Sequence, residues 1–347
     1  MKSLKEISWQ VDEPTYREDK ALSYSTLAKF AREGFHKLDT LFDKVESPSL
    51  LFGSAVDALI TGGQEEFDNN FMIADFPVLT ESVEKIVKSL FNQYHETYKT
   101  INDIPDNNII ETTEIEKYQK NWKPETRAKV IREQGAEYYT LMYLAGTKKI
   151  VDTATKEQVD KAVEALKTSK ATKFYFESNN PFDNRYERYY QLKFKSTIDG
   201  IDFRCMPDLL LVCHQDKIIY PVDLKTSSHF EDEFPKSFIQ WSYSLQARLY
   251  WRIINDNIKK DDYFKQFTLA DYQFIVVNKE SLTPLVWQFF DTKTEGTLIY
   301  GKHKNIELKD PVELAKELRY YLDNDCKIPL GIKENEPNNI IEYLNQI

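Results

Sequence analysis

The hydrophobic period of this 347-residue chain changes at residue 187. Before it, apolar residues recur at helical spacing: Val83, Ile86, Val87 and Leu90, then Val159, Val163 and Leu166. From Glu187 onward they alternate, with Tyr190, Leu192 and Phe194 interleaved by Gln191, Lys193 and Lys195, the pattern of a half-buried strand. With its first change of period this late, the chain is expected to run helices first, then strands interrupted by one helix, then a last helix. The spacing predicts a helix over 23–45 that starts at Ser23-Tyr24-Ser25-Thr26, and a second over 49–59 that stops at Gly62-Gly63. The polar stretch 100–130 reads as an insertion or a charged helix pair. Asp199-Gly200 is a hairpin turn signal. Strands are expected at 209–212, 218–224, 272–277 and 285–290, with one helix at 238–254 and a helix plus loop over 311–347. The expected fold is mixed α+β: a core sheet flanked by helices, in a single domain over 1–347. Residues 20–170 would form its helical part, 185–295 its α/β core and 305–347 a C-terminal helix and loop.

Composition closes off several chemistries. Only 10 glycines are present, and neither a Walker nor a dinucleotide-binding glycine pattern occurs. The three cysteines (Cys205, Cys213, Cys326) show no CxxC spacing, and the five histidines are scattered, which argues against disulfide frameworks, zinc sites and iron–sulfur clusters. With 46 basic against 56 acidic residues the net charge is −10, so a uniformly basic nucleic-acid coat is excluded. A local basic channel is not, because phosphate contacts need only a few lysines and arginines. No apolar run approaches membrane-spanning length, and a soluble, cytoplasmic protein is expected.

The stretch that carries chemistry is Met206-Pro207-Asp208 before the apolar run 209–212, then the apolar run 218–222 ending in Asp223-Leu224-Lys225. An antiparallel hairpin centred between Gln215 and Asp216 sets Asp208 opposite Asp223, with β-carbons about 4.5–5.5 Å apart. Lys225, two residues on, shares that face. Two facing carboxylates disfavour joint ionisation, which a divalent cation with a taste for hard oxygen relieves. Mg²⁺ is the expected ion, Mn²⁺ its substitute, and the Leu224 carbonyl a further ligand. In a plainer setting the same residues would be solvated strand-end carboxylates with a lysine partner. The apolar residues on both strands favour the site.

Here the chain resembles the PD-(D/E)XK nucleases, through Pro207-Asp208 and Asp223-Leu224-Lys225-Thr226-Ser227. Within them it is similar to the branch of exodeoxyribonuclease VIII, RecB-type nuclease domains and phage alkaline exonucleases. Three more blocks carry that likeness: Ser23-Tyr24-Ser25-Thr26-Leu27, Gly53-Ser54-Ala55-Val56-Asp57, and Gln246-Ala247-Arg248-Leu249-Tyr250. Together they cover roughly 20–290 in the branch's order. The resemblance implies a Mg²⁺-dependent deoxyribonuclease, a 5′–3′ or otherwise end-directed exonuclease, in phage or prophage recombination or replication. It implies DNA as substrate, a single-strand annealing protein as partner, a homo-oligomer, and the cytoplasm of a bacterium or phage-infected host. Asp57 stands where the branch commonly has a histidine ligand, and no cysteine quartet or helicase motif is present.

Catalysis is thus expected from Asp208, Asp223, Lys225 and Gln246, and metal ligation from Asp57, Asp208, Asp223 and the Leu224 carbonyl. Tyr243, Gln246 and Tyr250 fall on one helical stripe, the tyrosines as DNA contacts or as core aromatics. Other expected DNA contacts are Lys29, Arg32, Lys37, Arg204, Lys236 and Arg248. Glu187 could be an extra acidic ligand, but an exposed strand-start glutamate fits better. The alternatives to an exonuclease are a structure-directed endonuclease of the same fold and a DNA-binding scaffold without catalysis.

Overall fold

The computed structural model describes residues 2–43, 47–179, 185–301, 305–324 and 340; Cys326, His303 and most of the expected C-terminal loop lie outside them. The fold is mixed α+β, as expected. The chain divides into two compact units: one comprises Met1–Ser47 with Glu164–Ile347, the other Pro48–Val163. The helical part was expected to be one N-terminal body over 20–170. Instead, the first residues join the sheet-bearing unit, and the helices between them and the sheet form a unit of their own.

That smaller unit has its own core. Helices Glu81–Tyr94, Asp106–Ile115 and Pro124–Ala145 interlock through Val83, Ile86, Val87, Leu90, Ile101, Ile109, Ala128 and Ile131, all buried. The polar 100–130 stretch is therefore a packed helix pair. Gly135 makes the close approach possible, since a β-carbon there would lie 2.5 Å from Val87 Cγ2 and 3.3 Å from Ile101 Cδ1. Gly135→Ala is expected to overpack this core at a cost of about 1–3 kcal/mol, read as a lower midpoint in chemical denaturation. A midpoint at or above wild type would contradict that packing.

In the larger unit two short helical segments, Leu4–Ile7 and Glu13–Glu18, precede helix α1 (Tyr24–Glu33), which ends at Gly34, held at φ 70°. Its sheet is built from β1 (Tyr186–Tyr190), β4 (Leu209–Cys213), β5 (Ile218–Ser227), β6 (Tyr272–Asn278) and β7 (Leu285–Phe289), in the order β7-β6-β5-β4-β1. β5 and β6 run parallel and the other neighbours in that order antiparallel; a sixth, short strand, Thr268–Leu269, pairs parallel with the start of β5. A separate hairpin, β2 (Phe194–Ile198) with β3 (Ile201–Cys205), turns at Asp199 and Gly200, both at positive φ as a tight I′-type turn requires. β4 is buried at every position, which explains its unbroken apolar run.

Two expected elements are broken where the sequence carries no glycine. The strand from Glu187 splits into β1 and β2 at Gln191, which sits at φ 51°, its N–H donating to the Asp208 carbonyl at 3.2 Å. The expected 238–254 helix is two, α2 (Phe234–Gln240) and α3 (Tyr243–Lys260), separated by Ser242 at φ 55°. α2 and α3 form the crossover from β5 to β6, followed by α4 (Pro311–Asp323). The N-terminal segment is tied to the β2–β3 hairpin by backbone bonds from Leu22 to Asp202 (2.9 Å) and from Arg204 to Leu22 (3.0 Å). Leu27, Phe30, Phe203, Leu210, Leu249, Phe274 and Leu318 belong to one core joining α1, the sheet, α3 and α4.

Candidate active site

The β4–β5 hairpin has the register the sequence predicts. Cys213 pairs with Ile218 and Leu209 with Val222, so the next step outward sets Asp208 against Asp223 beyond the last ladder pair. Asp208 is held from both sides. Its carbonyl accepts from Gln191, and its Oδ2 accepts from the backbone N–H of Leu224 at 2.7 Å. The break between β1 and β2 thus serves the site: the chain turning away at Gln191 spends its N–H on the residue that carries the first carboxylate.

Asp223 is only 2% exposed. Its Oδ1 accepts a 2.7 Å hydrogen bond from Gln246 Nε2, and its Oδ2 is ion-paired with the Lys225 ammonium. Asp223 and Lys225 lie on one face because they are two apart in a strand; Gln246 reaches them from the first turn of α3. Burial pulls the Lys225 pKa down. The charge of Asp223, with Tyr243, Tyr24 and Asp208 adding to it, more than offsets this, so the pKa stands above the usual lysine value. The ion pair with Asp223 therefore favours the charged form of the amine.

Three further aromatic hydroxyls surround the carboxylates. Tyr250 and Tyr272 are buried, and burial holds both well above the usual tyrosine pKa, with the charges of Asp223 and Asp208 adding to it. Tyr24 donates to the Trp241 carbonyl at 2.6 Å. Neither Tyr24 nor Tyr272 is expected at the site from the motif residues. Tyr272 could have been found from strand parity, since Asp223 pairs with Phe274 and Tyr272 shares the Phe274 face.

The donor set fits a hard divalent cation. Asp208 and Asp223 supply carboxylate oxygens, and Gln246 Oε1 is buried without a hydrogen-bond donor among the described residues. No three Asp, Glu, His or Cys side chains converge as a metal-binding group among the described residues. Asp57 is on helix Pro48–Thr61 of the smaller unit. Glu187 is not beside the two aspartates along the sheet. It pairs with Val212, near the turn end of the hairpin, where its carboxylate meets His214 Nε2 at 2.9 Å and the Tyr189 hydroxyl.

The expected DNA contacts separate into two groups. Arg248 is corrected outright: it is 0% exposed and committed to Asp291, Thr294, Thr297 and the Leu308 carbonyl. Its neighbours in the motif face the sheet, and one position along α3 carries it into a different buried network. The buried Tyr250 takes the core alternative. Lys29 donates to the Thr40 carbonyl, and Arg204 donates to the Ala21 carbonyl at 3.2 Å and lies over the Tyr16 ring. Lys37 and Lys236 are exposed, the latter paired with Glu233. Arg32 lies 5.3 Å from the centre of the half-exposed Trp241 ring.

No described helix is long and apolar enough to cross a membrane. No family model matches the chain, and no curated protein matches it in sequence. Among solved structures it is similar to a "Putative exonuclease" from Eubacterium rectale, with 13% identity and a TM-score of 0.41 over 98% of this chain and 100% of that one.

Proposed function

We propose that this protein is a Mg²⁺-dependent deoxyribonuclease that degrades DNA from an end. One observation carries the proposal: Asp208 and Asp223 meet across adjacent strands, with Lys225 and Gln246 both bound to Asp223. Asp208, Asp223 and the Leu224 carbonyl would hold the ion. The bound cation supplies a water of lowered pKa and takes up charge on a phosphate oxygen. Lys225 stabilises the charge that develops on the phosphate. Gln246 fixes the rotamer of Asp223, so that its second oxygen faces Lys225. Leu224 N–H does the same for Asp208. Mn²⁺ would replace Mg²⁺, and a single-strand annealing protein is the expected partner.

The test compares end-labelled linear duplex with covalently closed circular DNA, each with Mg²⁺ and with Mn²⁺. Loss of the linear substrate with intact circles is expected. Cutting of circles would replace the end-directed reading by an endonuclease. If neither substrate is cleaved with either ion, the nuclease proposal fails and the scaffold alternative takes its place.

A further inference from the structure

Lysine has four rotatable side-chain bonds, so one carboxylate does not fix where its ammonium sits. In this site a second contact does. Lys225 Nζ lies 4.5 Å from the centre of the Tyr243 ring, within the range where an aromatic face attracts a cation. That ring is itself held. It stacks on Phe234 (5.7 Å between centroids, 17° between planes) and on Phe274 (5.8 Å, 30°). Tyr24 lies 6.3 Å away, anchored through its hydroxyl to the Trp241 carbonyl. The left-handed Ser242 between Trp241 and Tyr243 starts α3 at this point, so Tyr243 and Gln246 both come from its first turn. One helix end thus presents a ring to Lys225 and an amide to Asp223.

We infer that Tyr243 is a positioning residue: its ring face holds the Lys225 ammonium at the acid pair, and it makes no contact with DNA. The assignment of a reaction to Lys225 rests on the nuclease reading; the ring-on-ammonium contact does not. The hydroxyl of Tyr243 has no part in it, so Tyr243→Phe should keep the turnover rate within about 2-fold, whereas Tyr243→Leu should lower kcat by about 10- to 30-fold at unchanged KM. Because leucine also removes a ring from the aromatic stack, a second series keeps the shape: phenylalanine at 243 carrying one, two and three fluorines. Fluorine drains the ring face of electron density, and log kcat should fall stepwise with each atom. A level series, or a rise in KM with kcat unchanged, would overturn the inference.

A readout independent of activity uses lysine labelled with ¹³C at the ε-carbon, the Lys225 signal being assigned by its loss in Lys225→Arg. Its ε-protons should be shifted upfield by the ring in wild type and in Tyr243→Phe, and return to the ordinary lysine position in Tyr243→Leu. An unshifted wild-type signal sinks the Tyr243 assignment whether or not DNA is cut. A shifted signal in a wild type that cleaves nothing sinks the nuclease reading alone and leaves Tyr243 holding a lysine of another function.

Discussion

Asp208→Asn is expected to leave a folded protein whose DNA cleavage is slower by about 10²–10³-fold or more, the usual penalty for losing one electrostatic element of a reaction centre. The asymmetry between the two carboxylates makes this the cleaner of the two variants. Asp208 is only partly buried, and the bond it accepts from Leu224 N–H can pass to the asparagine carbonyl. Asp223 is buried, holds Lys225 and receives Gln246. Asp223→Ala would leave an ammonium and an amide without their partner, and breaking a buried pair from one side costs about 3–5 kcal/mol. The two variants should therefore part company in a thermal melt while agreeing in a cleavage assay. Wild-type cleavage by Asp208→Asn would remove it from the reaction.

Arg248→Met should destabilise the larger unit by about 1–3 kcal/mol, on the order of 5 °C in melting temperature, since Asp291 is partly exposed and water takes up some of the loss. The guanidinium donates to the Leu308 carbonyl at 2.7 Å, Thr297 Oγ1 at 2.7 Å, Asp291 Oδ2 at 2.9 Å and Thr294 Oγ1 at 3.0 Å. Methionine fills the volume but takes the guanidinium donor from the Leu308 carbonyl, while Asp291 Oδ2 keeps the bond from Thr297. Arg248→Lys should recover only part of the loss, because one ammonium cannot span a planar fork of acceptors. Burial alone would raise the Asp291 pKa; Thr297, Thr294 and Arg248 together lower it below the usual aspartate value. A carboxylate with a depressed folded pKa adds stability above its unfolded value, near 4, and loses it as the pH falls through the folded one. Melting temperatures of wild type and Arg248→Met should thus converge in acid. A phosphate-binding role would show instead as a DNA-binding salt slope lower by about one, with no change in melting.

The register of the β4–β5 hairpin was legible because two apolar runs flank a polar turn, and centring the hairpin in that turn sets Asp208 against Asp223. The mixed α+β class followed from the change of period at Glu187. What stayed hidden has physical causes. Gln191 and Ser242 adopt left-handed backbone without glycine to announce it, so one strand and one helix each read as continuous. The fate of Arg248 depends on partners 43 to 60 residues away, which no local pattern reports. Tyr243 was visible as part of a stripe, yet a stripe does not say whether an aromatic ring faces nucleic acid or a neighbouring lysine. The separate helical unit was obscured because its spacing is like that of helices packed on a sheet.

The division of the chain also has a temporal side. The smaller unit is one unbroken stretch, Pro48–Val163, whereas the larger is assembled from pieces before and after it. On a ribosome the helical insert is complete in sequence while Leu22 still waits for Asp202 and Arg204. At about 5–20 residues per second, α1 spends about 13–50 seconds with its apolar face unmatched before the last sheet strand is made. The nascent chain therefore has its helical insert whole well before the sheet that carries Asp208 and Asp223.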